Sequence, residues 1–150
     1  MFVIIKSSQI LEVFELDSKI QAKIINFLVE KISPNLIYIF GSTVKGTSNK
    51  NSDIDIAYLS HQKMDEYETF MLAQELANNL NIDVDLIDLR KASTVFQSQV
   101  VSTGIVIYCL NDEVRMNFEM MTLKMYAKLN EERQSIIDKV EESGSVFHEE

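Results

Sequence analysis

Two aspartates one residue apart, Asp53 and Asp55, open a run in which acidic and apolar residues alternate. In an extended strand this puts Asp53, Asp55 and Ala57 on one face and Ile54, Ile56 and Tyr58 on the other, so two carboxylates point the same way. A second such run, 82–89, places Asp83, Asp85 and Ile87 on one face and Val84, Leu86 and Asp88 on the other, with Asp85 its most central acid. Like charges held this close repel, and partial burial raises their pKa values, so a cation between them relieves the arrangement. Mg²⁺ takes carboxylate oxygens together with waters and substrate phosphates, so two or three Asp residues without a His select it over zinc. His61 and His148 have no ligand spacing to another His or Cys and are expected in ordinary surface roles.

Gly41-Ser42 stands directly after the apolar run Leu36-Ile37-Tyr38-Ile39-Phe40, with ten residues between it and Asp53. A glycine at such a strand end lets a phosphate approach the backbone, and free amides with the Ser42 hydroxyl offer donors to its oxygens. Lys45 is near enough to add a positive charge. Taken alone, Gly41 equally reads as a strand terminator and Ser42 as a helix cap. Gly41 and Gly46 have the glycine spacing of a Walker A loop, but Thr47 stands where its lysine is required, and no Gly-x-Gly-x-x-Gly occurs.

The elements that must position these residues alternate between helix and strand. Residues 17–32 put Ile20, Ile24, Phe27, Leu28 and Ile32 on one helical face, with Asp17 and Ser18 as cap candidates and Ser33-Pro34-Asn35 as the stop. Residues 36–40 read as a strand buried on both faces, and 53–59 as a second strand after the polar stretch 43–52. Residues 63–80 read as a helix carrying Met64, Tyr67, Phe70, Met71, Leu76, Ala77 and Leu80, and 82–89 as a third strand. A short helix over 93–102, a fourth strand over 105–109 and one long helix from 112 to about 141 complete the chain, with 142–150 as a loose tail. The fold class is α/β (α+β): a mixed central sheet flanked by helices, with a long C-terminal helix. On that helix Val114, Phe118, Met121, Met125 and Leu129 form a stripe suited to packing on the sheet. Met116, Met120, Leu123 and Tyr126 form a second apolar stripe, either an adaptable partner surface or a deeper core contact.

A chain of 150 residues with 46% hydrophobic content fits one domain, 1–150, with no repeat or linker. Its 14 Lys and Arg against 23 Asp and Glu give a net charge of -9, which disfavours direct gripping of nucleic acid and favours a partner that is basic, small or bridged by a cation. Cys109, the sole cysteine, is expected as a buried, inert thiol in a reducing cytoplasm. Met1 to Ile5 is shorter than a signal-peptide core, and no stretch reaches the roughly 20 apolar residues of a membrane span.

Phe40-Gly41-Ser42-Thr43-Val44-Lys45-Gly46-Thr47-Ser48-Asn49-Lys50-Asn51-Ser52-Asp53-Ile54-Asp55 resembles the hallmark of the DNA polymerase β-like nucleotidyltransferase superfamily, a Gly-Ser followed about ten residues later by Asp-x-Asp. The match includes the basic residue before Gly46 and Ser52 before the first acid, and residues from about 17 to 110 follow the family's element order. The resemblance implies Asp53, Asp55 and Asp85 as catalytic and metal-binding residues holding two Mg²⁺ ions. It implies Gly41, Ser42, Lys45 and Ser52 as the nucleotide site, and ATP as substrate. The size is similar to the minimal nucleotidyltransferases, antitoxins paired with small helical HEPN ribonuclease toxins. That likeness implies AMP transfer onto a toxin tyrosine and a hetero-oligomer with the toxin. Two rivals stand beside it: an antitoxin that neutralises by binding alone, and an aminoglycoside-type enzyme. Intact Asp53, Asp55, Asp85 and Ser42 speak against the first, because binding needs none of them; the usual need of such drug-modifying enzymes for a second domain or a dimer to complete the acceptor pocket speaks against the second.

Overall fold

The computed structural model describes residues 18–41 and 53–143. Asp17, Ser42, Lys45, Ser52, His148 and the expected tail beyond 143 lie outside the described residues. The described elements are α1 (Ser18–Ile32), β1 (Leu36–Phe40), β2 (Ile54–Leu59), α2 (Glu66–Leu80), β3 (Val84–Asp88), α3 (Thr94–Thr103), β4 (Ile105–Cys109) and α4 (Asp112–Glu142).

The four strands form one sheet in the order β3-β2-β1-β4. β1 runs antiparallel to both β2 and β4, whereas β2 and β3 are parallel, so the sheet is mixed. Parallel neighbours need a crossover, and α2 supplies it. Strand alternation divides the core between the two faces. Ile37, Ile39, Ile54, Ile56, Tyr58 and Leu86 pack with α1 and α2 on one side. Leu36, Tyr38, Ala57, Leu59 and Val106 pack with Val100 of α3 and with Val114 and Phe118 of α4 on the other. β1 is buried on both faces, as its unbroken apolar run predicts.

α1 buries Ile24, Leu28 and Ile32 of the expected face, with Ile25 added, while Ile20 and Phe27 pack against the core only partly buried. α2 departs from expectation at both its start and its face. It begins at Glu66, not at residue 63, because Asp65 caps it: the Asp65 side chain accepts from the Glu68 amide while the Glu68 side chain accepts from the Asp65 amide. Its buried residues are Leu72, Ala73, Leu76 and Leu80, and Tyr67, Phe70 and Met71 are exposed. A helix packed along one side buries one stripe, and Tyr67 and Phe70 fall outside it. β3 is shorter than the expected 82–89, running from Val84 to Asp88. α3 begins at Thr94 behind its N-cap Ser93, and β4 has the expected bounds.

α4 spans 31 residues, about 46 Å of helix, capped by Asn111, whose side chain accepts from the Glu113 and Val114 amides. Its packed side differs from the expected stripe. Val114 and Phe118 do face the sheet, but Met121 and Met125 are exposed, and the buried position is Thr122. The reason is polar: Arg115 and Glu119, four residues apart, turn inward to Tyr38 and fix the rotation of the helix. The second apolar stripe is resolved as surface, with Met116 51%, Met120 69% and Leu123 46% exposed, though Tyr126 is half-buried. No helix among the described residues is long and apolar enough to cross a membrane.

Candidate active site

Asp53, Asp55 and Asp85 lie toward one end of the sheet. Phe40, the last residue of β1, pairs with Asp55 of β2, and Asp55 pairs in turn with Asp85 of β3. Residues in register on neighbouring strands project to the same face, so the Asp55 and Asp85 carboxylates stand side by side. Asp53 lies one pleat repeat before Asp55, next to the start of β2. Ile54, between them, is buried in the opposite core and locks this orientation, because a one-residue slip would exchange the acids with the isoleucines.

Gly41 closes the site from above. It adopts φ +78°, in the left-handed region. A Cβ at this position would fall on Oδ2 of Asp55, so the backbone leaving β1 passes directly over the carboxylate. The sequence alone gives Gly41 a role in letting a phosphate approach; the structure adds a tighter requirement, room for Asp55 itself.

Asp55 is half-buried, whereas Asp53 and Asp85 are exposed. Burial pushes the Asp55 carboxyl above the usual carboxylate range, and the charges of Asp85 and then Asp53 push it further in the same direction. A cation beside Asp55 would relieve this repulsion. Among the described residues, no three His, Cys, Asp or Glu side chains are gathered into a ready-made metal cage. An all-oxygen donor set that is incomplete by itself fits a hard divalent cation, which keeps waters and takes oxygens from a substrate's phosphates. His61 offers no imidazole to it: its Nδ1 pairs with Arg90 Nη2 at 2.8 Å on the exposed surface.

Behind the acids lies a polar network that the sequence reading did not single out. The Tyr38 hydroxyl donates to Glu119 Oε2 at 2.9 Å, and Arg115 Nη1 donates to Glu119 Oε1 at 2.8 Å. Arg115 Nε also lies 3.7 Å from Asp112 Oδ1. Burial foremost, then the Glu119 charge, keeps the Tyr38 phenol protonated far above its ordinary range. The network ties β1, the strand that ends at Gly41, to α4. Its sequence signal was a lone tyrosine within an apolar strand and an Arg–Glu pair four residues apart. Cys109 is half-buried rather than buried, with its thiol directed at Asp112 Oδ1, 3.5 Å away. Partial burial, then Asp112, raises its pKa, which disfavours the reactive thiolate.

A family model described as polymerase beta, nucleotidyltransferase matches residues 22–113. Protein adenylyltransferase MntA of Shewanella oneidensis is 46% identical over 119 residues, which cover 79% of this chain and 85% of that protein. Among solved structures, a toxin-antitoxin with AMP-PNP contains a chain similar to this one with a TM-score of 0.71 and 45% identity, over 80% of this chain and 97% of that chain. A structure of tri-AMPylated Shewanella oneidensis HEPN toxin in complex with MNT antitoxin contains a similar chain at TM-score 0.68 and 41% identity, over 81% of this chain and 96% of that one.

Proposed function

This chain belongs to the polymerase β nucleotidyltransferase family, and from that premise we propose that it is the antitoxin of a toxin–antitoxin pair, transferring AMP from ATP to a tyrosine of a HEPN-type toxin. The observation that carries the chemistry is the in-register pair Asp55 and Asp85 beneath the left-handed turn at Gly41. The protein partner is supported by the likeness to MntA and to the chain bound to an AMPylated HEPN toxin.

The reaction is an in-line displacement at the α-phosphorus. The acceptor oxygen bonds to that phosphorus as the bond to the bridging oxygen of the β-phosphate breaks, and pyrophosphate leaves. Asp53 and Asp55 would hold Mg²⁺, and with Asp85 a second ion; bound there, the ions would supply neutralisation of phosphate charge and a more acidic acceptor hydroxyl. Asp85, exposed at the front of the pair, accepts the hydroxyl proton. Gly41, Ser42 and Lys45 would bind the β- and γ-phosphates and steady the leaving group, with Ser52 as a further member of the nucleotide site. The half-buried setting of Asp55 makes its carboxylate a fixed ligand, since the backbone at Gly41 leaves it little room to swing. The half-buried, inert Cys109 accords with life in a reducing cytoplasm.

The test is to incubate the chain and its co-encoded HEPN protein with Mg²⁺ and ATP labelled at either the α- or the γ-phosphorus. Label from the α-position alone should become acid-stable on the partner. Transfer of the γ-label instead would make the chain a kinase, and no transfer with tight neutralisation would make it a binding antitoxin.

A further inference from the structure

We propose that the acceptor reaches the site as an extended segment that pairs with the outer edge of β3, adding a strand to the four described ones. This rests on the functional reading above and deepens it by naming how the substrate protein is held.

β3 is an edge strand of the sheet formed by the described residues. On its inner side, Asp83 accepts from the Ile54 amide at 2.9 Å and the Leu89 amide donates to Tyr58 at 3.0 Å. In a parallel ladder alternate residues serve the neighbour, so Asp83, Asp85, Ile87 and Leu89 bond inward while Val84 and Leu86 direct N–H and C=O outward. Among the described residues no backbone group meets those outward donors and acceptors. Edges of this kind are commonly capped or shortened, and one left open beside a catalytic acid invites a partner strand.

A cleft of about 400 Å³ runs along the same edge, lined by Thr69, Phe70 and Ala73 of α2 and by Val84, Asp85 and Leu86 of β3. Val84, Leu86 and Ala73 belong to the core on the face opposite the acids, so the cleft opens on that face. An added strand therefore sorts its side chains. The residue opposite Asp85 projects to the acid face, next to the Asp55–Asp85 pair, while its two sequence neighbours, opposite Val84 and Leu86, project into the cleft. Because Asp85 bonds inward, an antiparallel segment meets it at a non-hydrogen-bonded position, where side chains stand closest. The acceptor so selected is a hydroxyl residue whose two neighbours set apolar atoms against Val84, Leu86 and Phe70, in a cleft whose rim also carries Glu66, Gln74, Asp88 and Lys91. This also accounts for Phe70, an aromatic ring 58% exposed at the cleft wall.

Two variants and one direct probe test this with the full chain and its HEPN partner. Val84→Pro removes an outward N–H without breaking a bond to β2, as proline is tolerated on edge strands. Phe70→Glu charges the cleft wall at an exposed position. Each should raise the KM for the partner by about tenfold, the equivalent of about 1.4 kcal/mol in acceptor binding, with ATP affinity reporting that the fold is intact. Hydrogen exchange on the complex should show protection of the Val84 and Leu86 amides that the free chain lacks. AMP transfer with unchanged KM in Phe70→Glu and no protection at these amides overturns the inference while leaving the functional reading standing. Protection of the same amides in the isolated chain as its concentration rises assigns the edge to a second copy and also overturns it. Failure of the unaltered pair to transfer AMP removes the functional reading, and the acceptor edge falls with it.

Discussion

Replacing Gly41 by alanine should separate two demands that the structure makes on one residue. The first is conformational: at φ +78° an L side chain costs about 1–2 kcal/mol. The second is contact: the new methyl would fall on Asp55 Oδ2, and forcing that carboxylate off its rotamer costs about 0.5–1.5 kcal/mol. The sum, roughly 1.5–3.5 kcal/mol, lowers the Tm of a chain of this size by roughly 5–10 °C. Activity should suffer more than stability, because a shift of about 1 Å at a reacting centre costs on the order of 10²-fold in rate. Urea denaturation and AMP-transfer rates measured for Gly41→Ala in the wild-type and Asp55→Ala backgrounds provide the assay. With Asp55 truncated only the backbone part, about 1–2 kcal/mol, should remain. An equal stability cost in both backgrounds, or an unimpaired transfer rate in the single variant, refutes the close approach of Gly41 to Asp55.

Asp55→Asn should stabilise the metal-free protein at neutral pH. The folded-state pKa of Asp55 lies above its unfolded value of 3.8, so the folded state binds more protons and stability falls as pH rises from about 3.8 through the folded value. Calorimetry in EDTA should find the variant more stable than wild type at pH 7 and the gap closing toward pH 4; a gap that is constant with pH contradicts the assigned repulsion. Tyr38→Phe removes a hydrogen bond to a charged acceptor and should cost about 1.5–3 kcal/mol in denaturant melts, with a neutral result showing that the Glu119 contact does not hold α4 in place. Asp65→Ala, which opens the capping box of α2, should cost about 1 kcal/mol by the same measurement and leave the transfer rate at saturating partner unchanged; a large loss of that rate would show that the cap does more than hold the first turn of α2.

The parts of the fold set by local rules were legible in the sequence. β1 and β4 read correctly because unbroken β-branched and aromatic runs admit few alternatives, and the acid face of β2 read correctly because a strand's side chains alternate with a fixed period. The juxtaposition of Asp55 with Asp85 needed the β2–β3 register, which is long-range and was supplied only by the family resemblance. The misreadings fell on helix faces. In α2 and α4 the sequence offers more apolar residues than one stripe can bury, so periodicity alone left open which stripe faces the sheet; Phe70, Met71, Met121 and Met125 went to solvent. On α4 the choice was made by the Tyr38–Glu119–Arg115 network, whose polar members a hydrophobic pattern ignores. The start of α2 was legible after all, in the Asp65-x-x-Glu68 capping box.

Intact-mass measurement of the HEPN partner tests the central claim most directly, after incubation with ATP, Mg²⁺ and either the wild-type chain or Asp55→Asn. The structure predicts one or more AMP additions on the partner with the wild-type chain, and none with a variant that is at least as stable as wild type. AMP addition by Asp55→Asn at the wild-type rate would contradict the assignment of the three-acid site.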